Sequence, residues 1–163
     1  MTQFADPAFG SVMMRAFVGG DADAKAKAAE AANVQTVERL YAAIVEGTGL
    51  SGLCTPDVEF EIVGPPGVPM AGRHVGLAAV EAAAKSNFAL LEEQRPVIES
   101  VIAQGDEVVV FIQETGRFRP TGRPYKMLAI QHFTVRRGRI VRFRELCDNA
   151  VLLEAAGKWA REA

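Results

Sequence analysis

The sequence predicts a single α+β domain. Apolar residues recur at helical spacing twice in the first half of the chain, whereas the second half alternates as β-strands do, between short turns. Helices that come early and antiparallel strands that follow are typical of this class. A chain of 163 residues falls within the range of one domain. We therefore expect a partly helical N-terminal arm at 1–33 and one domain at 34–163.

The first core-facing helix is expected to begin at Val34. Residues 21–33 are rich in alanine with alternating Asp and Lys, a pattern that fits either a solvated helix or a mobile arm. From Val34 to Val45, apolar side chains recur every three or four residues, and two glycines then end the helix. A second helix is predicted from Leu77 to Leu91. Its apolar stripe contains many alanines, so it can approach a sheet closely.

Alternating polar and apolar residues mark the strands. In residues 57–63, Val58, Phe60 and Ile62 share one face and glutamates occupy the other, which indicates a half-buried strand. A rigid loop rich in Gly and Pro follows, and His74 after it is expected to be an exposed loop residue. The later strands are predicted at 96–103, 108–118, 126–135 and 139–147, and a closing helix at 149–161.

The composition argues against nucleic acid and anionic membranes as partners. Lys and Arg total 18 against 20 for Asp and Glu, so the formal net charge of −2 provides no field that would attract either. Cys54 and Cys147 lack the spacing of a metal or redox motif, which leaves two buried thiols or a disulfide open. The N-terminal residues lack the charge pattern of a signal peptide and no apolar run reaches transmembrane length, so we expect a cytoplasmic protein.

Three short motifs in the C-terminal half carry a resemblance to a known superfamily. They are Pro120-Thr-Gly-Arg-Pro124, Phe133-Thr-Val-Arg-Arg-Gly-Arg-Ile140, and Asp148 followed by Leu152, Leu153 and Gly157. With the order of the elements, they resemble the SnoaL-like proteins of the nuclear transport factor 2-like superfamily, which includes ketosteroid isomerases, limonene epoxide hydrolases and polyketide cyclases. The resemblance implies a cystatin-like cone, in which a curved antiparallel sheet wraps around helices and an internal apolar pocket. It also implies a homodimer formed through the sheet.

Carried over by this resemblance, the site of ketosteroid isomerase is only half present. Its aspartate base falls at Ile62, which cannot accept a proton, and this argues against that activity. Its oxyanion-hole tyrosine falls at Tyr41. Its protonated aspartate falls at Gln131, a neutral donor that can serve a similar purpose.

The site of limonene epoxide hydrolase is also incomplete. Its two catalytic aspartates fall at Glu114 and Glu145, but the arginine between them falls at Ile112. The tyrosine and asparagine that hold its water fall at Phe60 and Ile62. An epoxide hydrolase needs a positioned water, so these replacements argue against that reaction and leave a pair of carboxylates.

Strand alternation by itself also points to Glu145. Val141, Phe143 and Cys147 share its face, and a carboxyl group among apolar neighbours is either paired or protonated. Either condition shifts the pKa toward values useful in acid-base catalysis. The alternative is that Glu145 reaches the rim and pairs with an arginine. Glu114 follows the same alternation in its own strand, but both faces of that strand are apolar, so a rim salt bridge is the alternative there too.

Four further polar residues are candidates with plainer alternatives. Tyr41 either donates its hydroxyl into a pocket or fills the core, and Gln131 is expected to be a buried amide that orients a ligand. His132 lies on the opposite face in this register and becomes the base only if a bulge reverses the strand. Asp148 either takes part in acid-base chemistry, as the resemblance implies, or caps the closing helix, which we favour. Two isolated histidines predict no metal site.

Two functions remain open. The first is a cofactor-independent isomerase, cyclase, lyase or hydrolase that transfers protons on a small apolar molecule containing a ring. Its inward carboxylates would be Glu145 and Glu114. Its pocket would be lined by Tyr41, Gln131, Phe60, Ile62, Ile112 and Phe143. The second is a non-catalytic module that only holds a ligand or only forms a dimer.

Overall fold

A curved seven-stranded sheet and three helices make up the part of the chain that the computed structural model describes, residues 16–17 and 24–158. In chain order the elements are β1 (Ala16–Phe17), α1 (Ala24–Glu46), β2 (Cys54–Val63), β3 (Gly72–Val75), α2 (Leu77–Ala89), β4 (Leu91–Gln104), β5 (Glu107–Phe118), β6 (Arg123–Arg136), β7 (Arg139–Cys147) and α3 (Asn149–Ala155). The strand order across the sheet is β1-β4-β5-β6-β7-β2-β3. The predicted α+β class, with a sheet wrapped around helices, is confirmed.

The sheet contains two parallel pairs in addition to the predicted antiparallel strands. Strands β4 to β7 pair antiparallel in succession, and β3 pairs antiparallel with β2. However, β2 lies parallel to β7, and β1 lies parallel to β4. Parallel neighbours need a long connection rather than a hairpin, and here the chain from β3 to β6 provides it for β2 and β7. This closure places β2 next to the last strand.

Irregular pairing bends the sheet. The register between β4 and β5 shifts between Glu92 and Arg95 and again between Ile98 and Ser100. A further shift between β6 and β7 follows Thr134. Each bulge adds a residue to one strand, which bends that strand and increases its twist. The bends give the sheet an inner face, against which α1 and α2 pack.

The main core lies between α1 and this inner face. The helix buries Val34, Val37 and Leu40, which have the spacing of three and four residues that the sequence predicted. Across from them, Val108 and Phe133 of the central strands have no exposed surface. Because these side chains are fully packed, they hold the helix over the middle of the sheet.

α1 is one continuous helix that crosses the boundary expected at Val34 without a break. Of the two alternatives for this segment, a helix or a mobile arm, the structure shows a helix over residues 24–33. This part of the helix contains a buried glutamate, Glu30. The Glu30 carboxylate accepts a hydrogen bond from the Gly105 N–H over 2.9 Å, and the Asn33 amide donates to the Gly105 carbonyl over 2.9 Å. These bonds clamp α1 to the turn between β4 and β5. The expected arm also includes residues 1–15 and 18–23, which lie outside the described residues.

Several elements end at positions other than those predicted. α2 ends at Ala89, and β4 is longer than expected because it begins at Leu91. α3 ends at Ala155, and Gly157 after it adopts a left-handed conformation with φ +70°, which terminates a helix. The predicted continuation beyond residue 158 lies outside the described residues. None of the three helices described combines the length and the hydropathy that crossing a bilayer requires.

The clamp on α1 can be tested through stability. We expect Glu30→Ala to destabilise the protein by about 1 kcal/mol, because the hydrogen bond from the Gly105 N–H to a charged acceptor is lost. Glu38→Ala changes an exposed glutamate of the same helix and is the matched control, with an expected effect below about 0.5 kcal/mol. Urea unfolding followed by circular dichroism measures both. Equal effects of the two substitutions would show that the clamp contributes nothing.

Candidate active site

Glu145 lies in the middle of the inner face. Its neighbours across the sheet are Gln131 in β6 and Ile62 in β2. The Gln131 side chain donates a hydrogen bond from Nε2 to Glu145 Oε2 over 2.6 Å. Tyr41, on α1, donates its hydroxyl proton to Gln131 Oε1 over 2.7 Å. Three polar side chains from a helix and two strands therefore form one hydrogen-bonded chain.

Burial changes the acidity of Glu145. Its position deep among protein atoms raises the pKa of this carboxyl from 4.5 to about 7, against the opposing effect of the bond from Gln131 and with a further rise from the charge of Glu114. None of the ion pairs in the described part of the chain involves Glu145, so the alternative of a rim pairing with an arginine is wrong. Part of the residue nevertheless remains accessible. Glu145 is therefore largely surrounded by protein, yet it is not sealed from solvent.

A second carboxylate, Glu114, acts on the same region. Its Oε1 accepts hydrogen bonds from the Tyr125 hydroxyl over 2.8 Å and from Gln94 Nε2 over 2.9 Å. Burial and then the charge of Glu114 raise the pKa of Tyr125 far above its ordinary value, so Tyr125 stays a neutral donor. The alternative of a rim salt bridge for Glu114 is absent from the ion pairs of the described residues. Two carboxylates thus share the inner face, and neither has a cationic partner there.

The approach of Tyr125 to Glu114 depends on Gly116. A Cβ atom at position 116 would lie 2.6 Å from the Tyr125 hydroxyl oxygen, closer than real contacts allow. Any larger residue would therefore push the tyrosine away from the carboxylate. Glycine is required here by space and not by backbone conformation.

Aromatic rings form one wall beside the carboxylates. Phe143 precedes Glu145 by two residues on β7, so the two side chains share a face. The Phe143 ring stacks on Phe60 with 4.2 Å between centroids and on Phe133 with 5.2 Å. Tyr41 meets Phe133 edge to face at 6.1 Å. Phe143 is only half-buried, so it presents an apolar surface next to the acid.

The six residues expected to line a pocket all belong to the inner face or to the helix that covers it. Three are half-buried and can contact a ligand: Tyr41, Gln131 and Phe143. Three are buried in the core, with at most 6% of their surface exposed: Phe60, Ile62 and Ile112. The buried group shapes the site from behind and does not present surface to it.

His132 and Asp148 are not brought to Glu145. The register shift in β6 falls after Thr134, so His132 keeps the outward orientation that simple alternation gives, and its Nε2 lies 2.6 Å from Glu107 Oε2. Asp148 is the N-cap of α3, where its carboxylate accepts hydrogen bonds from two backbone N–H groups, and the favoured cap is confirmed. Within the described residues, no three His, Cys, Asp or Glu side chains are grouped as metal ligands.

Sequence reasoning missed three residues near the site. The expectation of an exposed loop for His74 is wrong, because this half-buried residue belongs to β3 and stacks on Phe60 at 6.1 Å. Four residues are too few to show strand alternation. Tyr125 and Gln94 were missed because their roles depend on a cross-strand partner. The one available signal was that Tyr125 lies six residues before Gln131, on the same face of β6.

Both cysteines are free thiols in the structure. Cys147 lies on the same strand face as Glu145. Burial, together with the charge of Glu145, raises the pKa of Cys147 to about 12. Burial also raises the pKa of Cys54 to about 11. Thiols with raised pKa values are poor nucleophiles, so neither is suited to nucleophilic chemistry.

Two open depressions of the surface lie away from Glu145. One, of about 490 Å³, lies between α1 and the turn after β6 and is lined by Ala32, Gln35, Thr36, Glu38, Arg39 and Gly138. The other, of about 410 Å³, lies between β6 and α3 and is lined by Arg123, Pro124, Tyr125, Lys126, Val151, Glu154 and Ala155. Both are wide open to solvent. Neither is lined by Glu145 or Glu114, although Tyr125, the donor to Glu114, borders the second. The two carboxyl groups of the inner face are therefore taken as the candidate site.

Comparisons with known proteins agree with this architecture. A family model described as a SnoaL-like domain matches residues 37–143. No curated protein matches the sequence. Among solved structures, an NTF2-like protein from Burkholderia xenovorans is similar, with a TM-score of 0.68 and 30% sequence identity over 77% of this chain and 96% of that one.

Two further structures share the fold at lower identity. A candidate SnoaL-like polyketide cyclase from Jannaschia sp. has a TM-score of 0.69 and 21% identity, over 87% of this chain and 100% of that one. A protein with a ketosteroid isomerase-like fold from Catenulispora acidiphila, in complex with trimethylamine, has a TM-score of 0.61 and 15% identity, over 78% of this chain and 98% of that one. These likenesses show the fold alone, and they confirm the expected cone.

The raised pKa of Glu145 predicts how stability depends on pH. Between pH 4.5 and about 7 the folded protein binds this proton more tightly than the unfolded chain does, so stability falls as the pH rises through that window. The total loss is on the order of 3 kcal/mol. We expect Glu145→Gln to match the wild type at pH 4.5 and to exceed its stability by about 3 kcal/mol at pH 8.

Urea unfolding at the two pH values measures this difference. Glu99→Gln, which changes an exposed glutamate of β4, is the matched control and should follow the wild type at both pH values. A constant difference between Glu145→Gln and the wild type from pH 4.5 to 8 would show that Glu145 is not the buried acid described above.

Proposed function

Because the chain belongs to the SnoaL-like family, we propose that it holds a small apolar molecule containing a ring beside Glu145 and catalyses proton transfer on it without a cofactor. The reaction class is that of an isomerase, cyclase, lyase or hydrolase. The observation that carries the proposal is the placement of Glu145 on the inner face, where its hydrogen-bond partner is the neutral amide of Gln131 and no ion pair of the described residues includes it; burial there raises its pKa to about 7. A carboxyl group with this pKa is populated in both protonation states near neutral pH, so it can give and accept a proton within one cycle.

The surroundings of Glu145 support an apolar substrate. The half-buried Phe143 ring lies on the same strand face and offers a flat apolar surface, with Phe60 stacked behind it. A substrate ring on Phe143 would direct an oxygen or an acidic C–H group toward the carboxyl of Glu145. Burying apolar area supplies the binding energy, and the carboxyl supplies the orientation.

Glu114 supports the same chemistry through its charge. Tyr125 and Gln94, two neutral donors, hold this carboxylate in place. Its charge raises the pKa of Glu145, so it disfavours the ionised form of that acid and favours the return of the proton. Two neighbouring carboxyl groups with different surroundings provide the division of roles that acid-base catalysis uses.

The proposal differs from the two better-known activities of the superfamily. Ile62, at the position of the isomerase base, is buried and is the cross-strand partner of Glu145. Ile112, at the position of the hydrolase arginine, is also buried. The proton-transfer group is therefore proposed to be Glu145 on β7. A substrate would have to present its reacting atom to β7, and not to β2 as in a ketosteroid isomerase.

Deuterium exchange tests the catalytic proposal without a known product. The protein is incubated in D2O with a panel of cyclic ketones, enones and lactones, and NMR follows the loss of protons next to the carbonyl group. We expect at least one compound to exchange faster with the protein than with buffer. Glu145→Gln should reduce this acceleration at least about a hundredfold, in keeping with the loss of a general acid-base group.

The control for this experiment is Glu99→Gln, which should retain the wild-type rate because Glu99 is exposed on β4. Exchange that is equal in the wild type and Glu145→Gln would exclude Glu145 from the chemistry. Binding of panel members without any exchange would favour the non-catalytic ligand-binding module.

The outer face of the sheet favours a second role, in dimerisation, and we propose that it binds a second copy of this chain. Leu128, Leu146 and Val97 are exposed there by 45%, 44% and 56%. The Arg144–Glu61 ion pair lies beside them and can match its own copy across a twofold axis. Exposed large apolar side chains on one face of a sheet are typical of such interfaces.

A charge at the centre of this face should separate the subunits. We expect Leu146→Glu to convert a dimer into a monomer, because a new charge would have to be desolvated at the centre of an apolar interface. Gln35→Glu, which adds the same charge on the exposed side of α1, should remain dimeric. Light scattering after size-exclusion chromatography gives the mass of each. A monomeric wild type, or a dimeric Leu146→Glu variant, would contradict the proposal.

A further inference from the structure

The hydrogen-bonded chain through Tyr41, Gln131 and Glu145 has a fixed direction. A tyrosine hydroxyl has one proton to donate, and an amide has one oxygen that accepts and one nitrogen that donates. Tyr41 donates to Gln131 Oε1, and this leaves Gln131 Nε2 facing Glu145. Burial raises the pKa of Tyr41 well above its ordinary value, so the hydroxyl keeps its proton.

The direction of this chain makes the two oxygens of Glu145 unequal. Oε2 already accepts the hydrogen bond from Gln131 Nε2. A proton on Oε2 that pointed at this amide would meet the N–H protons of Gln131, and two donors cannot form a hydrogen bond. Oε1 has no hydrogen-bond partner among the described residues. A protonated Glu145 therefore carries its proton on Oε1, the oxygen that is free to meet a ligand.

We propose that Tyr41 is a positioning residue, which fixes the amide of Gln131 and thereby selects Oε1 of Glu145 as the oxygen that exchanges a proton with the substrate. The transfer of this proton to a substrate rests on the proposed function. It assigns Tyr41 a role other than the oxyanion donor that the superfamily resemblance implies, because its single proton is already given to Gln131.

The opposite orientation of the amide shows why Tyr41 matters. If Gln131 were turned, its Oε1 would face Glu145 and could accept a hydrogen bond only from the protonated acid. The ionised acid would then face an oxygen and lose its donor. Tyr41 opposes this turn because its hydroxyl donates to the amide oxygen. Without that hydroxyl, the turned amide stabilises the protonated form alone.

Tyr41→Phe tests the inference in the protein without a ligand. Carbon-13 NMR of labelled glutamate carboxyls follows the titration of Glu145, identified by the signal that Glu145→Gln removes. We expect Tyr41→Phe to raise the pKa of Glu145, with proton binding tighter by about threefold or more, as the loss of a donor to a charged group implies. An unchanged or lowered pKa would overturn the inference.

A double-mutant cycle with Gln131→Leu identifies the route of the effect. If Tyr41 acts through Gln131, Tyr41→Phe has no further effect on the pKa of Glu145 once the amide is absent. An equal rise in both backgrounds would overturn the inference, because Tyr41 would then act on Glu145 without the amide. Neither measurement requires turnover, so a failed exchange screen would leave this result unaffected.

A measurement on the unmodified protein covers the case in which Tyr41→Phe does not fold. The side-chain amide protons of Gln131 are identified by their absence in Gln131→Leu. Because Nε2 donates to Glu145, these protons should shift with the same midpoint as the Glu145 carboxyl. Amide protons that do not follow this titration would mean that the amide is turned away, and the inference would fail.

Discussion

The hydrogen bond from Gln131 to Glu145 is the interaction on which the inner face depends. An ionised carboxylate buried without a partner costs several kcal/mol, and a neutral amide offsets only part of this cost. Burial therefore still raises the pKa of Glu145 to about 7. A purely structural position would be more stable with an apolar residue, as Ile62 is on the neighbouring strand. A destabilised buried acid is typical of functional sites.

The position of Tyr41 in this arrangement is set at the other end of its helix. Glu30 and Tyr41 are 11 residues apart, which is about three helical turns, so both side chains lie on the same face of α1, roughly 16 Å apart. Glu30 binds the Gly105 N–H in the turn between β4 and β5, and Tyr41 binds Gln131 over the sheet. The two contacts fix both the rotation and the translation of α1. Glu30, which the sequence assigns to the N-terminal arm, thus helps to orient the hydrogen bonds that link Tyr41, Gln131 and Glu145.

The sequence predicts the parts of the site that depend on local periodicity. Alternation within β7 is sufficient to put Phe143 and Glu145 on one face, and the same pattern in β6 puts Gln131 there. The environment of Glu114 could not be predicted, because its donor Tyr125 is placed by strand pairing and by the small size of Gly116. The parallel pairing of β2 with β7 was likewise not visible, since no local pattern encodes the direction of strands far apart in the chain.

The pairing of Ile62 with Glu145 limits what this site can become. The two residues are direct neighbours on adjacent strands, so a carboxylate at position 62 would lie beside Glu145 in the same buried region. Like charges at that distance cannot both ionise, and each would raise the pKa of the other. An ionised carboxylate on β2 at position 62 is therefore incompatible with an ionised Glu145. The isoleucine at position 62 permits Glu145 to titrate near neutral pH, where Glu114 on β5 is the one carboxylate among the described residues whose charge raises its pKa.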